Sequence, residues 1–187
     1  SSVRAMVRTE EQRAGFEDAG VETVLGDLEG DFAHAFEDCN QVVFTAGSGG
    51  HTGGDKTLLV DLYGAIRSIE ESEARGVDHF VMVSALRAER PLEAVPAMRH
   101  YMVAKMLADR RLLESDVSST ILRPGRLTDE AGSGRVRTRV AAGEGFDVSR
   151  ENVADCIVQA LRRGPVEDAV MDLLDGDRSI AALFGGG

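Results

Sequence analysis

Lysine is nearly missing from this chain. Of its 21 basic residues all but Lys56 and Lys105 are arginines, against 32 acidic residues and a formal net charge of −11. No basic patch offsets that field, so a nucleic-acid partner is not expected. Cysteine is scarce too: Cys39 and Cys156 stand far apart, with no C-x-x-C and no neighbouring histidine pair. That excludes a disulfide framework and reads as two buried thiols in a reducing cytoplasm. His34, His51, His79 and His100 are scattered without ligand spacing, so no metal is expected. No run of about 18 apolar residues occurs, so no membrane span is expected. No charged-then-apolar leader opens the chain, which gives no sign of secretion. Tryptophan is absent and tyrosine occurs twice.

What is present suits a single domain over 1–187, with 43% hydrophobic residues for a core and 21 glycines for tight turns. Val3–Val7 reads as a strand, and Thr9 with Gln12 as the capping box of a helix that Gly20 ends. Val21–Leu25 is a second strand, followed by a helix over about Asp31–Asp38. Gln41–Thr45 is a continuously apolar third strand, as in a sheet covered on both faces. Asp55 is placed as the cap of a long helix to about Arg75, with Leu58, Leu59, Leu62, Ile66 and Ile69 inward and Gly76 as its stop. His79–Ser84 and Ser119–Arg123 are further strands, separated by a helix that runs to about Ser115. Thr128–Gly145 lacks periodicity and reads as a mobile loop. Ser149 caps a helix to about Arg163, Val166–Leu173 is a sixth strand, and a short helix follows. Strands alternating with helices indicate an α/β fold with a doubly wound parallel sheet.

The chemistry centres on Arg99–Lys105, where Tyr101 and Lys105 stand four residues apart in a run free of glycine and proline. That spacing places them on one helix face. The ammonium favours the phenolate and is expected to lower the tyrosine pKa toward working pH, which suits general acid–base chemistry. In the bland alternative Tyr101 is an amphipathic residue on a surface helix. Ser84 closes a strand at the carboxyl edge of the sheet, where open α/β folds bind ligands.

The glycine-rich stretch Gly47–Gly54 tempts a dinucleotide reading, but the next strand ends in Ser84-Ala85-Leu86 rather than an acidic or arginine residue. The stretch is therefore not the primary pyrophosphate loop and is expected to line a cofactor further along. Arg8, at a strand end, can pair with a 2′-phosphate, which favours NADP over NAD; the alternative is an exposed turn arginine. Asp27 can accept from the adenine amino group, or is a turn aspartate.

Taken together, Phe80-Val81-Met82-Val83-Ser84-Ala85, Tyr101-x-x-x-Lys105 and Leu122-Arg123-Pro124-Gly125 resemble the short-chain dehydrogenase/reductase superfamily. The similarity is to its atypical NAD(P)-binding members related to sugar epimerases and dehydratases. Arg4–Arg8, Gly26-Asp27-Leu28, Phe44–Gly50 and Asp55–Asp61 add to it, the last pointing to a small subgroup of epimerase-like proteins. The resemblance implies a Rossmann-like fold with Ser84, Tyr101 and Lys105 as the catalytic set. Lys105 would also hold the nicotinamide ribose. Thr45, Ala46, Gly47, Pro124 and Gly125 would contact the cofactor, with Arg8, Asp27 and Leu28 at its adenosine end. The expected activity is hydride transfer at a carbonyl or alcohol carbon of a small molecule by a cytoplasmic monomer or homodimer, as an oxidoreductase or epimerase. A flavin or quinone reductase and a non-catalytic NADP-binding redox sensor are the rivals. The superfamily opens with a strand and a Gly-x-x-Gly-x-x-Gly loop, whereas this sequence begins at what corresponds to the second strand. Either the molecule carries that unit ahead of Ser1 or the chain is a truncation with a compromised cofactor site; the first is expected, since a missing central strand leaves an apolar edge. The acidic, lysine-poor balance resembles proteins of halophilic archaea, although arginine-rich codon usage in an ordinary acidic protein gives the same composition.

Overall fold

The computed structural model describes residues 2–140, 145–164 and 170–185. The chain divides into two compact units, Ser1–Cys39 and Asn40–Gly187.

In the first unit β1 (Arg4–Val7) and β2 (Glu22–Leu25) pair in parallel around α1 (Glu10–Glu17). The capping box forms as its spacing predicts: Thr9 Oγ1 accepts from the Gln12 N–H and Gln12 Oε1 accepts from the Thr9 N–H, each at 3.3 Å. The helix expected over Asp31–Asp38 is instead a single 3₁₀ turn, Ala33–Phe36. Asp31 Oδ1 caps the Ala33 N–H at 3.2 Å, and Asp38 takes a left-handed φ of 60°, which stops helical continuation at once. The turn buries Phe32 and Phe36 against each other, with ring centroids 6.0 Å apart.

The second unit is built on a six-stranded sheet. Its strands are β3 (Gln41–Phe44), β4 (His79–Val83), β5 (Ser119–Pro124), β7 (Arg135–Arg137), β9 (Val170–Asp175) and β10 (Arg178–Ser179). The order is β10-β7-β9-β5-β4-β3, with β3, β4, β5 and β9 parallel and β7 and β10 antiparallel. A small parallel pair, β6 (Arg126–Thr128) with β8 (Asp147–Ser149), sits apart from that sheet.

Alternation along the strands feeds two cores. One face carries Val81, Leu122, Met171 and Leu173, packed with Val153, Cys156 and Ala160 of α5 (Arg150–Arg163) and with Ile180 and Phe184 at α6 (Ile180–Leu183). Ser149 caps α5 as expected, accepting the Asn152 N–H at 3.1 Å. The other face carries Phe80, Met82 and Ile121, all fully buried, and meets α3 (Ala65–Arg75) and α4 (Arg99–Leu113). The result is a mostly parallel sheet with helices on both faces, the doubly wound α/β architecture.

Several local expectations are corrected. The helix before β4 starts with α2 (Gly54–Lys56), whose cap is Gly53 rather than Asp55. It then widens into a π-helical stretch, Thr57–Gly64, before α3. Leu58 and Leu59 face outward, 54% and 40% exposed, while Thr57, Asp61, Gly64, Ser68 and Ser72 are buried with Ile69. The inward face is small and polar because Ser68 and Ser72 hydroxyls donate to carbonyls one turn back, so no polar group is stranded. The third strand is not uniformly buried: Val43 is 38% exposed. Within Thr128–Gly145, expected to be loop, β7 hydrogen-bonds to β9; of the expected strand Val166–Leu173, residues 166–169 lie outside the described residues, and the strand runs on to Asp175. Cys156 is buried, whereas Cys39 is only half-buried.

Candidate active site

The carboxyl ends of β3, β4 and β5 and the first half of α4 surround one cavity of about 860 Å³. Thr45, Ala46 and Gly47 line it after β3, Ser84 after β4, and Pro124 and Gly125 at the end of β5. Tyr101 and Lys105, one turn apart on α4, form the wall between them. Parallel strands bring those ends to one edge, so residues far apart in sequence meet there. The remaining predicted contacts belong to the first unit. Arg8 follows β1 with an exposed side chain, and its N–H donates to Gln12 Oε1 at 2.8 Å. Asp27 Oδ1 accepts from the Glu29 N–H at 2.9 Å, an Asx turn, and Leu28 is buried. A second cleft, about 800 Å³, is lined by Arg123, Arg139, Arg163 and Arg178 and contains none of the predicted site residues.

The Lys105 ammonium is 3% exposed and donates to the Val83 carbonyl at 2.9 Å, tying α4 to the end of β4. It lies 5.9 Å from the centroid of the Tyr101 ring. Burial lowers its pKa, opposed by the carboxylates of Asp61 and Asp109. The expectation of an acidified tyrosine is overturned. Burial first, then Asp61 and Asp109, push Tyr101 up to about 12. The reason is that the phenol is buried, where its anion is disfavoured, and that the charges of Asp61 and Asp109 penalise the anion further.

Asp61 and Asp109 are the residues that sequence reasoning missed. Each is 1% exposed. Asp61, on the π-helical stretch, accepts the Ser48 N–H at 3.0 Å and so fixes the glycine-rich loop after β3. A Cβ on Gly47 would sit 3.1 Å from Asp61 Oδ1, a tight contact that Asp61 would have to yield to by a few tenths of an ångström. Asp109, one turn beyond Lys105, pairs through Oδ2 with Arg123 at 2.9 Å, and Arg123 reaches Glu89 at 2.8 Å. Its Oδ1 and the Ser84 Oγ are both buried without a formed hydrogen bond. Burial raises the Asp109 pKa; the Ser84 hydroxyl, Arg123 and Lys105 oppose it. Ser84 thus lines the cavity while its hydroxyl lies near Asp109. The i,i+4 spacing of Lys105 and Asp109 was the available signal; Asp61 had none, because its helix was expected to turn leucines inward.

These residues fit the nicotinamide-ribose end of a dinucleotide. An ammonium has three donors, and Lys105 uses one on Val83 among the described residues. Gly125 is glycine for packing, since a Cβ there would fall on the Phe146 carbonyl oxygen.

The sequence profile of a family described as NAD(P)H-binding matches residues 1–163. A Bacillus subtilis protein, YhfK, named as an uncharacterized sugar epimerase, is 46% identical over 183 residues, covering 96% of this chain and 85% of that protein. The Saccharomyces cerevisiae UPF0659 protein YMR090W is 36% identical over 172 residues, 86% of this chain and 75% of that one. A Bacillus halodurans structure titled as an NAD-dependent epimerase/dehydratase superposes with a TM-score of 0.88 at 40% identity, covering 98% of this chain and 86% of that one. With that match and a cavity suited to a nicotinamide ribose, the chain belongs to the NAD(P)H-binding family.

Proposed function

We propose that the protein is an NAD(P)-dependent oxidoreductase of the short-chain dehydrogenase/reductase type that acts on a carbonyl or alcohol carbon. The observation that carries this reading is the meeting of Tyr101, Lys105 and Ser84 in one cavity, with the phenol held neutral. When bound, the nicotinamide supplies or accepts the hydride. Tyr101 gives its proton to the nascent alkoxide oxygen as a general acid. Lys105 orients the ribose and, by its charge, stabilises the phenolate left after proton transfer. Ser84 turns its hydroxyl from Asp109 toward the substrate oxygen. Thr45, Ala46, Gly47, Pro124 and Gly125 form the floor on which the cofactor lies. The relatives named for epimerases support the cofactor more than the substrate, since epimerisation and reduction share this proton chemistry.

Steady-state oxidation of NADPH with a panel of carbonyl compounds tests the reading. Turnover with at least one of them, abolished by Tyr101→Phe, is expected; NADPH binding with no turnover on any would favour a nucleotide-sensing role. Arg8 adds a cofactor preference for NADP. Arg8→Ala should weaken NADP by roughly 1.5–3 kcal/mol, the loss of a charge-assisted contact, and leave NAD nearly unchanged. Calorimetric affinities for both dinucleotides check this, and an equal loss for both would remove the 2′-phosphate role.

A further inference from the structure

The cavity is chemically lopsided. On the β3 side its lining is glycines, threonines and Asp61; toward β5 and the start of α4 it is Leu86, Ala97, Met98, Met102, Leu127 and Phe146. Three of those apolar side chains are exposed: Met98 is 44% exposed, Leu127 39% and Phe146 43%. Apolar surface that stays wet around a concave site is the surface a ligand covers. Methionine adds an adaptable, polarisable wall suited to an aromatic face. The Arg87 guanidinium stacks over Phe146 at 5.0 Å and holds that ring at the rim.

Within the cavity wall positive charge is short, and at the rim the Arg87 guanidinium lies over the Phe146 ring. Among the described lining residues, lysine and arginine contribute only Lys105 and Arg126. Lys105 bonds to Val83 and is assigned to the cofactor ribose in the proposed function, and Arg126 forms a two-point pair with Asp147 at 2.7 Å on each arm. A nucleotide-linked sugar brings a diphosphate that wants an unoccupied guanidinium fork, and ring hydroxyls that want polar partners. Placed against leucine, methionine and phenylalanine, those groups would lose water without gaining hydrogen bonds.

We infer that the substrate is a flat, conjugated, uncharged carbonyl compound, held by its apolar face on the Leu127–Phe146–Met98 side with its oxygen at Tyr101, and not a nucleotide-linked sugar. The inference rests on the carbonyl-chemistry reading of the cavity and narrows it.

Titration calorimetry on the full chain with fluorenone and, separately, with UDP-glucose tests it. Fluorenone should bind, and Leu127→Asn and Phe146→Asn should each weaken it about tenfold or more. Both side chains are partly exposed, so both variants should melt with the wild type. UDP-glucose should give no heat of binding. Absent fluorenone binding, binding indifferent to both asparagine variants, or UDP-glucose binding that those variants weaken overturns the inference. The two readings fail separately. Fluorenone bound by Leu127 and Phe146 but no carbonyl reduced would sink the catalytic reading alone. Tyr101-dependent turnover of a sugar carbonyl without fluorenone binding would sink the substrate class alone.

Discussion

Tyr101→Phe should lower kcat by about 10²–10⁴, the usual contribution of a positioned general acid. The substitution removes one oxygen and keeps the ring, so packing of α4 and affinity for NADPH should change little. Lys105→Ala should behave differently, losing turnover and cofactor affinity together. Its ammonium anchors the end of β4 through Val83, and in the proposed function it also holds the ribose. Lys105→Arg should not restore both, since a planar fork does not replace a compact point charge in a site this buried. Turnover of Tyr101→Phe near the wild-type value on the best substrate would leave α4 as a scaffold only.

The second large effect concerns stability. Asp109→Ala should cost about 3–5 kcal/mol of unfolding free energy, the range for removing one partner of a buried ion pair. Arg123 is 13% exposed, and in the variant it would keep only Glu89, itself 45% exposed. Urea unfolding reads the loss directly. Replacing both partners, Asp109→Leu with Arg123→Met, should return most of it, because no unpaired buried charge then remains. A single-variant loss under about 1 kcal/mol would show that Glu89 and solvent satisfy Arg123 without Asp109.

Six of the strands and their parallel arrangement were legible because apolar runs in a two-sided sheet are nearly continuous, and because Gly76, Pro124 and the Thr9 and Ser149 caps mark their neighbours. Tyr101 and Lys105 were legible from spacing. The π-helical stretch was not, since its register departs from the 3.6-residue period and its buried face uses serine, threonine, glycine and Asp61 where a periodicity reading seeks leucine. The direction of the Tyr101 shift was misread for a related reason. Sequence spacing shows that Lys105 is near, but not that its ammonium donates to the Val83 carbonyl or that burial and two carboxylates from separate elements disfavour the phenolate. β7 was hidden as well, being three residues long and rich in arginine.

The neutral phenol is the centre of this account, and a tyrosinate titration tests it directly. Ultraviolet absorbance is read by stopped-flow pH jump, before alkali unfolds the chain, and wild type is compared with Tyr101→Phe. The folded chain holds the Tyr101 proton more tightly than the unfolded chain does. Its stabilising contribution is therefore full below the reference value of about 10 and is lost as pH rises through about 12. The difference between the two titrations should be one tyrosinate step centred near 12. A difference step centred clearly below about 10 would mean that Lys105 acidifies the phenol after all, and would contradict the picture of a protonated acid waiting in the cavity.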